Sequence, residues 1–193
     1  EFQLLAQARP WVRGVFDHAW APMTALARQV SCLPSGLWDY LLDSDGGFVS
    51  ICNGESGYAP GPGQIGHRRV VNVAFVSIED LATGNEQPLR ISGHLLDHYL
   101  GCSGQPDSPW LSEGGGVTAH WREAGARLQR LFALGYGVDE VARSNVRDYF
   151  GQSLAFYCLE RQRLNIADPQ MYKWLRATLW NPASWRDQIP GQE

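Results

Sequence analysis

Apolar residues recur at helical spacing in the first part of the chain. Between residues 10 and 30 they fall every three or four positions, and Pro10 occupies a first-turn position, so the pattern predicts an amphipathic helix. A Cys-Leu-Pro-Ser-Gly segment at 32–36 ends this helix, and a shorter helix is predicted over residues 37–42. The apolar stripe consists of Val12, Val15, Phe16, Ala19, Met23 and Leu26.

Two later segments have the composition of β-strands. Residues 47–52 follow an Asp-Gly turn signal and contain mostly apolar side chains. Residues 69–77 give the stronger prediction, because apolar and β-branched side chains occupy both faces, as in a strand covered on both sides. The segment 53–66 between them is rich in glycine and proline and is predicted to be a loop.

Helical patterns dominate the rest of the chain. A helix is predicted over residues 88–100, with Gly101 ending it, and another over residues 118–134. A third is predicted over 144–164 with Ser144 as its N-cap. The last runs over 168–179, capped by Asp168 with Pro169 in the first turn.

The order of these elements is a helix, strands, a helix, and then helices only. This order predicts an α+β fold, mostly helical, with a small sheet preceding the helix at 88–100, and it argues against a doubly wound sheet. A length of 193 residues fits one domain. We expect that domain to comprise a helical part (1–45), a core (46–179) and a tail (180–193).

Composition and charge exclude several classes of partner. The content of 44% hydrophobic and 19% charged residues is typical of a globular protein. The net charge is −4, Lys173 is the only lysine and the arginines are scattered, so nothing indicates nucleic-acid binding. No apolar window is long enough for a membrane span, so no membrane partner is predicted, and the sequence does not indicate an oligomeric state.

The four cysteines form no CxxC pair and no compact framework. A domain of this size does not need disulfides to fold, so free thiols in a reducing, cytoplasmic compartment are predicted. If a disulfide forms instead, Cys32–Cys52 is the first pair to consider.

Two histidines on the helix at 88–100 are the main candidates for chemistry. His94 and His98 stand four residues apart, about 40° apart around a helix, so both imidazoles can reach one metal ion. The same spacing also occurs where both rings pack in a core or lie at a surface. Context favours the metal, since zincins place a strand, a helix carrying HExxH and a third ligand from a later helix in this order.

The later helix supplies a candidate third ligand. Its sequence RDYFGQSLAFY (147–157) resembles the E-F-F-A-E-A-F helix of lethal-factor-like zincin peptidases, and DPQMYKWL (168–175) is similar to their closing helix. The resemblance covers residues 47–179. It implies a zincin-like metallopeptidase in which His94, His98 and Asp148 bind Zn²⁺. An acid in the first turn of a helix is also favoured by the helix dipole alone.

The general base of that family is absent from its usual position. The residue after the first histidine is Leu95, which cannot accept a proton from metal-bound water, and Gln152 and Val141 replace two further family residues. Asp97 flanks the histidines on the opposite side, about 80° from their mean direction, and is the candidate catalytic residue. It can equally support a histidine by hydrogen bonding, or face solvent.

Three functions are therefore compatible with the sequence. The first is a zinc-dependent peptidase that holds an extended peptide along the edge of the strand at 70–76, through Val71, Val73 and Phe75. The second is a catalytically inactive zincin-like binding or regulatory module, which the missing base favours. The third has no metal and treats the histidine helix as ordinary structure. Little or no peptidase activity is expected even with zinc bound.

Overall fold

The computed structural model describes residues 2–43, 47–65 and 67–188, and the fold is mixed α+β, mostly helical with a small sheet. The first helices are α1 (Phe2–Gln7), α2 (Pro10–Val15), α3 (Ala21–Val30), α4 (Ser35–Asp43), α5 (Ile78–Thr83) and α6 (Gln87–Cys102). The later helices are α7 (Ala119–Phe132), α8 (Glu140–Ser144), α9 (Val146–Leu159), α10 (Arg161–Ala167) and α11 (Pro169–Ala177). Short 3₁₀ turns lie at Leu111–Glu113 and Pro182–Gln188. The predicted α+β class is confirmed.

Five short strands form the β structure of the described residues. They are β1 (Phe48–Cys52), β2 (Gly57–Ala59), β3 (Gly63–Ile65), β4 (Arg68–Val70) and β5 (Val73–Ser77). One sheet has the order β1-β5-β2, with β1 parallel and β2 antiparallel to β5. The other sheet is the β3–β4 hairpin. The predicted strand at 47–52 is confirmed as β1, whereas the predicted loop at 53–66 contains β2 and β3.

The strand predicted over 69–77 is interrupted at Asn72. This residue has a positive φ of 58°, a left-handed conformation that breaks the extended run between β4 and β5. Its amide nitrogen donates to the Gly104 carbonyl at 3.0 Å and lies 3.3 Å from the Tyr99 hydroxyl. Those buried bonds hold the break in place, and a single-residue conformation of this kind leaves no signature in a β-branched pattern.

The prediction of a peptide bound along residues 70–76 is wrong in its choice of strand. β5 is the central strand, so β1 and β2 already occupy both of its hydrogen-bonding edges. Val73 is fully buried, and Phe75 is paired with Ser50 on one side and Gly57 on the other. Val71 lies outside the strand and is exposed. The free edges of this sheet in the described residues belong to β1 and β2.

Two predicted helices, at 10–30 and at 144–164, are divided in the structure, and the second becomes α9 and α10, which are separated at Glu160. The helix predicted at 10–30 is two helices, because Phe16 adopts an extended conformation that ends α2. Ser144 ends α8 rather than capping the next helix, and Asn145 caps α9 by accepting from the Asp148 backbone N–H. The predicted cap at Asp168 is confirmed, since its side chain accepts from Met171 N at 2.9 Å. After Val117 the described residues form helices and turns, with no strand.

The two helices that carry the candidate residues pack closely where two glycines meet. A Cβ on Gly93 of α6 would lie 2.8 Å from the Cα of Gly151 on α9. A Cβ on Gly151 would lie 2.9 Å from the Arg90 carbonyl oxygen and 2.8 Å from His94 Cδ2. Backbone atoms on both helices therefore leave no room for side chains at this crossing, and the crossing fixes how near α9 comes to His94.

Replacing Gly151 with alanine should destabilise the protein although alanine favours helices. The added methyl would push α9 from α6, an overpacking penalty of about 1–3 kcal/mol. Gly14→Ala is the matched control, since a Cβ there meets nothing within 4 Å and helix propensity predicts a gain of up to about 1 kcal/mol. Urea unfolding measures both. Equal or greater stability of Gly151→Ala would show that the crossing relaxes freely.

Two cysteines that were predicted to be free form a disulfide. Cys32, between α3 and α4, pairs with Cys158 near the end of α9, with Cα atoms 5.7 Å apart. Cys52, the partner first considered for Cys32, is free, as is Cys102. The prediction of free thiols is therefore wrong for this pair, and the inference of a reducing compartment loses its basis. The sequence did not indicate Cys158 as the partner of Cys32, because 126 positions separate the two cysteines.

The N-terminal helices pack against the sheet layer through an apolar cluster of their own. Val12, Phe16 and Leu26 contact Val76 of β5 and Ile78 of α5 in that cluster. The larger core surrounds α6, α7, α9 and α11, so α6 lies between the sheet and the C-terminal helices. None of the helices in the described residues is long and apolar enough to cross a lipid bilayer.

Candidate functional site

His94 lies on α6 where this helix faces α9. Its Nε2 is 3.2 Å from Oδ1 of Asp148, close enough for an ion pair but poorly aligned for a hydrogen bond. The side chains are 14% and 20% exposed, so water reaches both only in part. The structure thus brings together two of the three predicted metal ligands.

The third group at this contact is Arg90, one helical turn before His94. Its Nη1 donates to the same Asp148 oxygen at 2.7 Å. Gln87 Oε1 accepts from Arg90 Nη2 at 2.7 Å and from Nε at 3.1 Å, which fixes the plane of the guanidinium. Arg90 and His94 therefore converge on one carboxylate. We call these three residues the Arg90–His94–Asp148 triad.

Both oxygens of the Asp148 carboxylate contact protein groups. Oδ1 contacts Arg90 and His94, and Oδ2 accepts from Asn145 Nδ2 at 2.6 Å and from Ser144 Oγ at 3.3 Å. The contact with His94 is the largest cause that holds the pKa of Asp148 well below its ordinary value, with Asn145 and Arg90 adding to it against the effect of burial. The Asp148 carboxylate is therefore ionised, and the positive charge of Arg90 already balances its negative charge.

His98 points to a different environment. Its Nε2 lies 3.0 Å from the Gln105 carbonyl, which can only accept, so Nε2 carries the hydrogen. Its Nδ1 then accepts from the Tyr58 hydroxyl at 2.7 Å. The ring stacks on Trp110 with centroids 4.9 Å apart, and burial lowers the pKa of His98, which favours the neutral form. Both nitrogens are engaged by the protein.

The predicted set of His94, His98 and Asp148 therefore does not meet at one point. The pair one turn apart that faces Asp148 is Arg90 and His94, whereas His98, the predicted second ligand, contacts Tyr58 and Gln105. A zinc ion needs deprotonated nitrogen or oxygen donors, and here a guanidinium holds the carboxylate while His94 directs Nε2 at it. No group of three His, Cys, Asp or Glu in the described residues could hold a metal. The residues present do not fit zinc.

Asp97, the predicted base, is buried beneath a loop. It is 0% exposed, and its two oxygens accept from Ser112 N at 2.7 Å and Ser112 Oγ at 2.6 Å. Burial is the main cause that raises the pKa of Asp97 to about 7, and the Ser112 bonds oppose it. Because Asp97 has no exposed surface and both of its oxygens bond to Ser112, it supports the loop and is not placed to act as a base.

The stability of the protein should fall as pH rises through the range in which Asp97 ionises. An acid whose pKa is raised on folding stabilises the fold fully below its unfolded value near ~4, and this is lost as pH rises through about 7. Asp97→Asn should flatten that dependence between pH 5 and 8. Urea unfolding at several pH values measures it, with exposed Asp107→Asn as control. A steeper decline in Asp97→Asn than in the parent would contradict the assignment.

Sequence reasoning missed the residues that surround His98. The Trp110 ring stacks on His98 and also contacts the Arg147 guanidinium, whose Cζ stands 3.8 Å from the ring centroid. Arg147 is also paired with Glu113 at 2.7 Å. The stack lines an open cleft of about 680 Å³ with residues of the loop before Trp110. Because loop and helix residues form it, no spacing in the sequence indicates it.

The residues at the usual position of the base and in the other supporting roles are not acidic. Leu95 is 3% exposed and Ile91, which follows Arg90, is 2% exposed, so both are core residues. Gln152 is buried and donates from Nε2 to Asp139 Oδ2 at 2.7 Å. Val141 is 38% exposed on α8. An apolar residue therefore follows both His94 and Arg90.

Comparison with protein-family models, with curated proteins and with solved structures gives no match for this chain. The geometry of the site is therefore the observation that bears on function.

Proposed function

We propose that this chain is a catalytically inactive zincin-like module that binds no metal at its histidine helix and acts through binding. The observation that carries the proposal is the bond from Arg90 to Asp148 at 2.7 Å. If the two residues that face Asp148 are aligned with the two histidines of HExxH, RISGH at 90–94 stands in place of that motif. Arginine thus takes the place of the first metal ligand and isoleucine that of the base.

Electrostatics supports this reading. A catalytic zinc supplies positive charge beside the third ligand and activates water. Here the guanidinium supplies the positive charge, and it is permanently protonated and cannot ionise a water molecule. An arginine close to the ligand positions also repels a second cation. The triad is therefore a structural replacement for a metal, and it holds α6 against α9.

The absence of a base supports the same conclusion independently. General-base catalysis contributes about 10²–10⁴-fold to hydrolysis. The two acids that the sequence offered beside the histidines are Asp97, which is buried against Ser112, and Asp148, which is paired with Arg90. Neither can accept a proton from water near the triad. The packing around α6 then holds the binding surfaces of the domain in place, and the domain does not cleave a bond.

Zinc content tests the proposal directly. The full chain, purified without chelator and dialysed against micromolar zinc, should contain well under one equivalent by elemental analysis. Neither zinc nor EDTA should shift its melting temperature, because a ligand stabilises a fold only if it binds the folded form. A quenched-peptide library should show no zinc-dependent cleavage. One equivalent of zinc that disappears in His94→Ala, or zinc-dependent cleavage of that library, would overturn the proposal.

A further inference from the structure

The outer edge of β1 is open. Within the described ranges, β1 pairs with β5 alone, in parallel register from Phe48–Val73 to Cys52–Ser77. A strand at the edge of a sheet presents N–H and C=O groups that another extended segment can pair with. The β1 edge lies on the far side of β5 from β2, the strand whose Tyr58 contacts His98. It is therefore separate from the histidine helix.

A cleft of about 400 Å³ runs along this edge. Four consecutive residues of β1, from Phe48 to Ile51, line it, so the strand meets the cleft with its edge and not with one face. The opposite walls come from the N-terminal helical part and from the β3–β4 hairpin. Those walls consist of Leu4, Ala19, Pro22, Met23, Ile65, Arg68 and Val70.

The charge of this cleft is opposite to that of the whole protein. Arg68 is the one charged residue among those that line it, and no lining residue is acidic, whereas the chain carries a net charge of −4. Arg68 lies 5.8 Å from the Phe48 ring and has no carboxylate partner among the described residues. The exposed residues His67 and Arg69 flank it on the hairpin. The cleft thus combines apolar walls with an unpaired cation.

We propose that this β1 cleft binds an extended peptide segment of a partner protein as a fourth strand, with apolar residues against the walls and an acidic residue at Arg68. Strand addition satisfies the open backbone groups, which an apolar small molecule would leave unpaired. A second copy of β1 complements the cleft poorly, because Phe48–Cys52 contains no acidic residue. The cleft does not involve the Arg90–His94–Asp148 triad, so this site stands whether or not the triad binds metal.

Selection from a random octapeptide display library on the immobilised full chain tests the site. The selected peptides should alternate apolar and polar residues and be enriched in Asp or Glu over Lys or Arg. Arg68→Glu should weaken binding of the best synthetic peptide by at least about tenfold, since one favourable charge contact becomes repulsive. Arg69→Glu, which makes the same charge change outside the cleft lining, should weaken it far less.

N-methylation of that peptide separates strand addition from other modes. Methyl groups on alternate backbone nitrogens fall either on the β1 side or on the solvent side, because successive N–H groups of a strand point in opposite directions. One set should abolish binding and the other should leave it within about threefold. The proposal fails if no acidic peptides are selected, if both methylated sets bind equally, or if Arg68→Glu binds normally. It also fails if sedimentation shows a dimer that the peptide dissociates, which would make a second copy the occupant.

Discussion

The Arg90→His variant should bind zinc where the parent chain does not. Arg90 and His94 stand one turn apart on α6 and both reach the same oxygen of Asp148, at 2.7 and 3.2 Å. Histidine at position 90 removes the guanidinium that neutralises the carboxylate and supplies a second imidazole. Two His and a carboxylate leave a fourth, open position for water, as in catalytic zinc sites.

The expected gain in zinc affinity is at least about a hundredfold over the parent. Among the described residues the parent offers two candidate donors at this point, His94 and Asp148, and Arg90 holds the second. Without zinc the variant should be less stable, since Asp148 loses its ion pair with Arg90, and added zinc should raise its melting temperature with concentration. Calorimetric titration and thermal melts measure these effects.

Two controls make the result specific. Adding His94→Ala to Arg90→His should remove the zinc affinity, whereas Arg69→His, a histidine placed on the hairpin surface, should not create it. Zinc-dependent hydrolysis is not expected in Arg90→His, because the residue after the introduced histidine is Ile91, which cannot accept a proton from metal-bound water. If the variant binds zinc no better than the parent, α6 and α9 do not retain a metal-compatible geometry, and the assignment of position 90 to the first ligand is wrong.

Loss of the Cys32–Cys158 disulfide should lower the free energy of unfolding by roughly 2–5 kcal/mol. The bond closes a loop with a sequence separation of 126, and chain entropy for a loop of this length gives about 5 kcal/mol as its upper expectation. It also joins the α3–α4 junction to α9, so the cross-link connects the N-terminal helical part to the helix that carries Asp148.

Urea unfolding with and without dithiothreitol measures this effect, and Cys32→Ser should reproduce the reduced parent. Cys52→Ser is the matched control, because Cys52 is free and half-buried, and its change should stay near that of an ordinary substitution. If dithiothreitol leaves the unfolding midpoint of the parent unchanged while reducing the thiols, the disulfide does not constrain the unfolded chain as expected. A large loss in Cys52→Ser would instead point to packing.

The sequence by itself determined the features that depend on neighbouring residues. The cap at Asp168 with proline after it, the strands β1 and β5, and the helical character of everything described after Val117 follow from local hydrogen bonding and apolar periodicity. The α+β class follows from their order. Sequence also placed His94 and Asp148 in one candidate site, although only through the resemblance of two helices that are fifty residues apart.

Tertiary structure decided which side chains meet. The direction of a histidine on a helix depends on how that helix rotates against its neighbours, so the choice between His98 and Arg90 as the companion of His94 rests on the α6–α9 crossing. The role of Gly101 likewise depends on contacts between distant segments. It was expected to end a helix, yet α6 continues to Cys102, and a Cβ on Gly101 would lie 2.3 Å from Leu111 N. Glycine is required there by the loop that packs on it.

The remaining differences have the same physical origin. Residues 69–77 read as one strand because apolar periodicity does not register a single left-handed residue held by bonds from Asn72 to Gly104. The partner of Cys32 lies on a helix far along the chain, and the edge order of the sheet places β5 at its centre. Local pattern fixes the conformation and the buried side of each segment, whereas contacts between distant segments depend on the packing of the whole core.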